Sequence, residues 1–132
     1  MIKKVDHIAI AVKNLDEGLK TFEALLGIKA AHVKEVPDQK IRAAVINIGN
    51  VEIELIQPTA PDTGVAKFLE SRGEGVHHIC LEVDDIDNEL QAMAAKGIEL
   101  IDKKSRMGLA GKIGFLHPKS AKGVLIELAQ KV

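Results

Sequence analysis

The sequence predicts an α+β fold: two tandem βαβββ modules whose eight strands form one curled sheet around a cleft, with helices on the outer face. Three observations lead there. The stretch Val124-Leu125-Ile126-Glu127-Leu128-Ala129-Gln130 repeats Val51-Glu52-Ile53-Glu54-Leu55-Ile56-Gln57, with five of the seven positions identical. Val5-Asp6-His7-Ile8-Ala9-Ile10-Ala11-Val12 reads against Val76-His77-His78-Ile79-Cys80-Leu81-Glu82-Val83, where Val, His, Ile and Val coincide. Period-two alternation in these stretches is followed in each copy by a period near 3.6. Self-similarity takes precedence over any element-by-element assignment, and two copies are too few for a solenoid. A single duplicated domain over residues 1–132, with an internal repeat at 5–58 and 76–130, accounts for the pattern.

Each element has a local reason. Val5 to Val12 is a strand with Ile8, Ile10 and Val12 on one face and His7, Ala9 and Ala11 on the other. Asn14 and Asp16 offer N-caps for a helix reaching Leu26, in which Leu15, Leu19, Phe22, Leu25 and Leu26 recur at helical spacing, and Gly27 suits its C-terminal turn. Strands follow at Ala30–Val36, ended by Pro37-Asp38, then at Ile41–Ile48, and, after the Gly49-Asn50 turn, at Val51–Ile56. Pro58 to Gly64 is a linker, and Val65–Ser71 a short helix. The second copy repeats the order: strand Val76–Val83, helix Ile86–Lys96 closed by Gly97, strand Glu99–Lys103, a Gly-rich loop Met107–Gly111, strand Ile113–His117 and strand Val124–Gln130.

Composition narrows the function classes. Apolar residues make up 46% of the chain, enough for a core, which only three Phe supply with aromatic bulk. A formal net charge of -1 gives no general attraction to nucleic acid or acidic membranes, and so few rings serve base stacking poorly. The single Cys80 excludes an internal disulfide and suits a reducing cytoplasm. No apolar run approaches the ~18 residues of a membrane span. Asp6 and His7 interrupt the apolar segment after Met1-Ile2-Lys3-Lys4, so no secretory signal is read there.

Two strands per copy carry the chemistry. His7 and Glu54 point away from the apolar residues that a helix must cover, and so do His78 and Glu127. A carboxylate in an apolar strand is costly unless it is paired, hydrogen-bonded or metal-bound. Singly, each of these residues is more often structural or solvated; retention of the same polar types in both copies argues for a shared role. Two imidazoles and two carboxylates form a mixed N/O set for a divalent ion such as Mn, Fe, Co, Ni or Zn, with two octahedral positions left for water or substrate. Glu52 and Glu82, whose counterparts are Leu125 and Ala11, are expected at the surface. His32 is expected to be exposed, His77 structural, and Cys80 a small core filler. His117 is a candidate turn or substrate contact. Lys112, with Gly108 and Gly111, is a candidate lid, and Lys119 and Lys122 are candidate phosphate contacts.

These modules, with His7, Glu54, His78 and Glu127, resemble the vicinal oxygen chelate (glyoxalase-like) superfamily. Within it, Asp6-His7-Ile8-Ala9-Ile10-Ala11-Val12, Gly75 through Cys80, and Phe115-Leu116-His117-Pro118-Lys119-Ser120 with Gly123 to Leu128 resemble the methylmalonyl-CoA epimerase family over nearly the whole chain. The resemblance implies one divalent metal per chain held by His7, Glu54, His78 and Glu127, cobalt first, with manganese, nickel or zinc as alternatives. It implies inversion of C2 of methylmalonyl-CoA, and the chemistry calls for a metal-stabilised enolate. Glu127 is the choice for one catalytic base and Glu54, opposite by pseudo-symmetry, for the second, with Lys112, His117 and Lys119 the candidate substrate contacts. It also implies an acyl-CoA substrate and a homodimer. Some relatives carry a further Glu where Ala43 stands, beside Arg42, and Gln where Glu54 stands. The alternatives are a lyase of glyoxalase I type, a non-haem iron dioxygenase, or a non-enzymatic small-molecule-binding protein of the same fold.

Overall fold

The computed structural model describes residues 1–131. The chain is α+β, with two successive βαβββ modules. The first comprises β1 (Ile2–Ala11), α1 (Leu15–Leu26), β2 (His32–Val36), β3 (Ile41–Ile48) and β4 (Val51–Pro58). A helix α2 (Gly64–Arg72) leads to the second: β5 (Gly75–Val83), α3 (Ile86–Ala95), β6 (Arg106–Gly108), β7 (Gly111–Leu116) and β8 (Ile126–Gln130). The chain divides into two compact units, residues 7–77 and residues 1–6 together with those from 78 onward.

In the unit of residues 7–77, β1 pairs in parallel with β4, β4 antiparallel with β3, and β3 antiparallel with β2. The helix-side face of this sheet forms a core of Val12, Leu15, Ala44 and Leu55, joined by Ile10, Leu19, Phe22 and Ile53. The other unit repeats the scheme, with β5 parallel to β8, β8 antiparallel to β7, and β7 antiparallel to β6. Its helix-side core is Val83, Ile86, Leu90, Met93, Leu116 and Leu128. Gly114 sits tightly there: a Cβ at this position would lie 3.1 Å from Leu90 Cδ1, so the leucine would have to give by a few tenths of an ångström.

The helices begin where their caps stand. Asn14 Oδ1 accepts from the Glu17 N–H at 3.0 Å, and Asp85 Oδ1 from the Asn88 N–H at 3.3 Å. Both α1 and α3 also receive a second, long-range cap. Gln57 Oε1 accepts from the Leu15 N–H at 2.7 Å, and Gln130 Oε1 from the Ile86 N–H at 3.0 Å. These are the two repeated glutamines of the duplicated phrase. Each ties the end of a strand to the first turn of its module's helix, where the backbone N–H groups lack intrahelical acceptors.

Two expected elements are displaced. Glu99–Lys103 is not a strand, although Leu100 makes an isolated bridge to Leu116. Asp102 explains why: its Oδ2 accepts the Phe115 N–H at 2.8 Å, so a side chain takes the hydrogen bond that a continuing ladder would use. The pairing strand is instead Arg106–Gly108, which overlaps the loop expected at Met107–Gly111, and Leu109-Ala110 alone turn it into β7. Gly111 holds φ 117°, a conformation that glycine tolerates and other residues rarely adopt. The last strand starts at Ile126, two residues later than expected.

Candidate metal centre

His7 and Glu54 come together within the unit of residues 7–77. Ala9 stands opposite Glu54 in the parallel β1–β4 pair, and His7, two residues earlier on the same face, reaches across the diagonal. His7 Nε2 lies 3.7 Å from Glu54 Oε2, and the side chains are 3% and 8% exposed. Ile53 and Leu55, alternating with Glu54, pack on the α1 side. Period two therefore directs the carboxylate to the other face.

His78 and Glu127 come together in the same way within the other unit. Cys80 stands opposite Glu127 in the parallel β5–β8 pair, with His78 two residues before it. His78 Nε2 lies 3.0 Å from Glu127 Oε1, again with both side chains buried. On the far side of Glu127 the antiparallel partner is Phe115, whose ring meets the His78 imidazole edge to face at 5.4 Å. Cys80 is fully buried with Ile113 and Ala129, as expected of a core filler.

Five polar or charged residues are buried among the described residues: Asp6, His7, Glu54, His78 and Glu127. Asp6 is held by Lys131 at 2.8 Å. The other four form one imidazole–carboxylate pair per module. Removing such groups from water is costly unless opposite charge or a metal compensates. Imidazole nitrogen with carboxylate oxygen is a donor set that first-row divalent ions accept. The residues present therefore fit a metal.

The remaining candidates do not gather at these pairs. Lys112 stands opposite Gln130 and Met107, so it occupies the helix-side face, opposite to that of Glu127. There it lies near Asp87. The Asp87 carboxyl is held below its ordinary range, first by the Ser105 N–H (2.9 Å), then by the Ser105 hydroxyl (3.1 Å), with the charges of Lys112 and Lys104 adding to the effect. His117 caps the 3-10 turn Pro118–Ala121, its Nδ1 accepting from the Lys119 N–H at 3.0 Å. Lys119 and Lys122 are exposed in or beside that turn. Glu82 is not simply at the surface: its side chain is 14% exposed and lies 3.3 Å from Lys3. Glu52 is half-buried beside His7. His32 is exposed, and His77 packs edge-on against Phe68 at 5.1 Å. Ala43, opposite Ile56, is fully buried. Sequence reasoning missed the capping glutamines, although their repetition was visible. It also gave Phe115, whose ring meets the His78 imidazole, no contact of its own.

Comparison with known proteins follows these observations closely. Residues 6–116 match the Glyoxalase/Bleomycin resistance protein/Dioxygenase superfamily. Human mitochondrial methylmalonyl-CoA epimerase is 34% identical over 129 residues, covering 96% of this chain and 73% of its own. The ethylmalonyl-CoA/methylmalonyl-CoA epimerase of Cereibacter sphaeroides is 34% identical over 133 residues, covering 98% and 99%. Among solved structures, a methylmalonyl-CoA epimerase in complex with methylmalonyl-CoA and NH4+ matches with a TM-score of 0.93 and 34% identity, covering 100% of this chain and 96% of that one. The resemblance read from the sequence is thus matched at family level.

Proposed function

The chain belongs to the glyoxalase/bleomycin resistance protein/dioxygenase superfamily, and we propose that within it the protein is a metal-dependent epimerase that inverts C2 of methylmalonyl-CoA. The observation that carries this reading is the buried imidazole–carboxylate pair in each module, on the face turned away from the helix. The named functions of relatives aligned over nearly the whole chain support the substrate.

His7, Glu54, His78 and Glu127 would together hold one divalent ion, with cobalt the first choice and manganese, nickel or zinc the alternatives. When bound, such an ion supplies Lewis-acid stabilisation of negative charge on substrate oxygen. The chain's own residues do the rest. A carboxylate oxygen of Glu127 takes the proton from C2; the C–H electron pair moves into the thioester, whose oxygen becomes the enolate oxygen. Glu54, its equivalent in the first module, enters the step as the carboxylic acid, gives its proton to the opposite face and is left as the carboxylate, while the electron pair returns to C2 with inverted configuration. Burial of both carboxylates keeps bulk water from the enolate and strengthens their interactions with it. The protein is proposed to act as a cytoplasmic homodimer.

The test is incorporation of deuterium at C2 of methylmalonyl-CoA in deuterated water, with and without chelator. Metal-dependent exchange is expected. Glu54, rather than Gln, also suits a lyase of glyoxalase I type, which moves a proton through an enediolate. Faster turnover of the glutathione hemithioacetal than of methylmalonyl-CoA, at equal metal loading, would replace the epimerase reading with that one.

A further inference from the structure

Resting on the epimerase reading, we propose that Arg106 recognises an oxyanion of the acyl-thioester substrate and so determines its specificity. The position follows from the register. Arg106 stands opposite Ile113, and Ile113 opposite Ala129, two residues from Glu127. All of them share the face that carries His78 and Glu127.

The side chain is held as a receptor would be. Arg106 Nε donates to Asp102 Oδ1 at 3.2 Å, and the guanidinium carbon lies 5.8 Å from the centre of the Phe115 ring. That distance is within the range of a cation–π contact. Asp102 is fixed in turn by the Phe115 N–H. Anchored at Nε and over one face, the side chain remains 49% exposed, and its two Nη groups have no protein partner among the described residues. A guanidinium with an oriented, unspent fork matches carboxylate and phosphate oxygens in two-point geometry. The same Phe115 ring abuts the His78 imidazole, so two side-chain contacts connect the fork to the proposed metal ligand.

The first module supplies an internal comparison. Lys34 stands opposite Ala43, and Ala43 opposite Ile56, which places Lys34 at the register position equivalent to Arg106. Lys34 is exposed and makes no ion pair among the described residues. A lone lysine there matches the ordinary use of charge to protect an edge strand from pairing. Only Arg106 is preorganised.

The substrate has two kinds of oxyanion: the carboxylate of its acyl group and the phosphates of its nucleotide end. The experiment measures kcat and KM of metal-loaded Arg106→Gln, Arg106→Lys and Lys34→Ala on methylmalonyl-CoA and on methylmalonyl-pantetheine, which keeps the carboxylate and lacks the phosphates. Arg106→Gln is expected to raise KM about 10- to 100-fold, the loss of one charge-assisted pair. Arg106→Lys should fall between it and the parent, and Lys34→Ala should match the parent. Little change in kcat would identify a contact made alike in ground and transition states. A rise with both thioesters assigns the carboxylate; a rise with the CoA thioester alone assigns the phosphates. Unchanged KM for Arg106→Gln with both, or an equal effect from Lys34→Ala, overturns the inference while leaving the epimerase reading intact. A metal-loaded parent protein inactive on both thioesters overturns the reading and the inference together.

Discussion

Glu127→Gln separates the catalytic role proposed for this position from its structural one. The carboxylate is 5% exposed, with one oxygen 3.0 Å from His78 Nε2 and Phe115 opposite it in the ladder. An amide fills the same volume, so no cavity forms. The change weakens one buried contact to imidazole, at a cost of about 1–3 kcal/mol. The fold should therefore survive. Metal affinity should weaken but persist, because His7, Glu54, His78 and the amide oxygen remain. Loss of a positioned general base should lower turnover by about 10²–10⁴-fold. The assay is deuterium exchange at C2, followed separately for each epimer, on protein whose metal content has been measured. If each face has its own base, exchange from one epimer should fall further than from the other. Glu54→Gln is the companion variant: recovery at high metal would mark Glu54 as a ligand alone. Near-normal exchange in metal-loaded Glu127→Gln would refute the assignment and move the base to Glu54.

Other expectations follow from the same geometry. His7→Ala and His78→Ala should each lower metal affinity by at least about 10–100-fold, measured by competition with a chromophoric chelator, since even loss of a group that only orients a ligand costs that much. Gln130→Ala leaves the Ile86 N–H without its long-range acceptor and should cost about 1 kcal/mol, on the scale of an N-cap. A thermal melt should then shift down by about 2–5 °C. An unchanged midpoint would show that Asp85 and water suffice. Gly114→Val pushes new atoms against Leu90 and should destabilise by about 1–3 kcal/mol in urea unfolding, with an unchanged m-value.

Most of the fold was legible because its signals are local. Alternation marked β1, β4, β5 and β8, and the cap at Asn14 marked the first helix. The misreading at Glu99–Lys103 has a long-range cause. Asp102 reaches 13 residues along the chain to the Phe115 N–H and ends the ladder. Alternation also directed His7, Glu54, His78 and Glu127 to one face in each module, because side-chain direction in a strand depends only on parity. The same parity places Lys112 on the helix side of β7, opposite to Ile113. Arg106 was invisible for the opposite reason: it fell between the strand expected at Glu99–Lys103 and the loop expected at Met107–Gly111, so it had no parity to read.

The duplication divides the labour between positions that repeat and positions that do not. His7 and His78, Glu54 and Glu127, and Gln57 and Gln130 repeat; the first four form the buried imidazole–carboxylate pairs proposed as metal donors, and the glutamines tie each strand to its helix. The walls beside them have diverged. Val45 stands beside Glu54 where Phe115 stands beside Glu127, Ala43 where Ile113 stands, and Lys34 where Arg106 stands. An epimerase meets two related demands. Proton transfer to and from both faces of one carbon calls for bases of matched chemistry, which a duplicated ligand strand supplies. The substrate is not symmetric, since only one of its ends carries the nucleotide, so its orientation has to be read where the copies differ. Substitutions at the diverged wall should therefore alter which thioesters are accepted, while substitutions at the repeated donors should alter metal retention and proton transfer for every substrate.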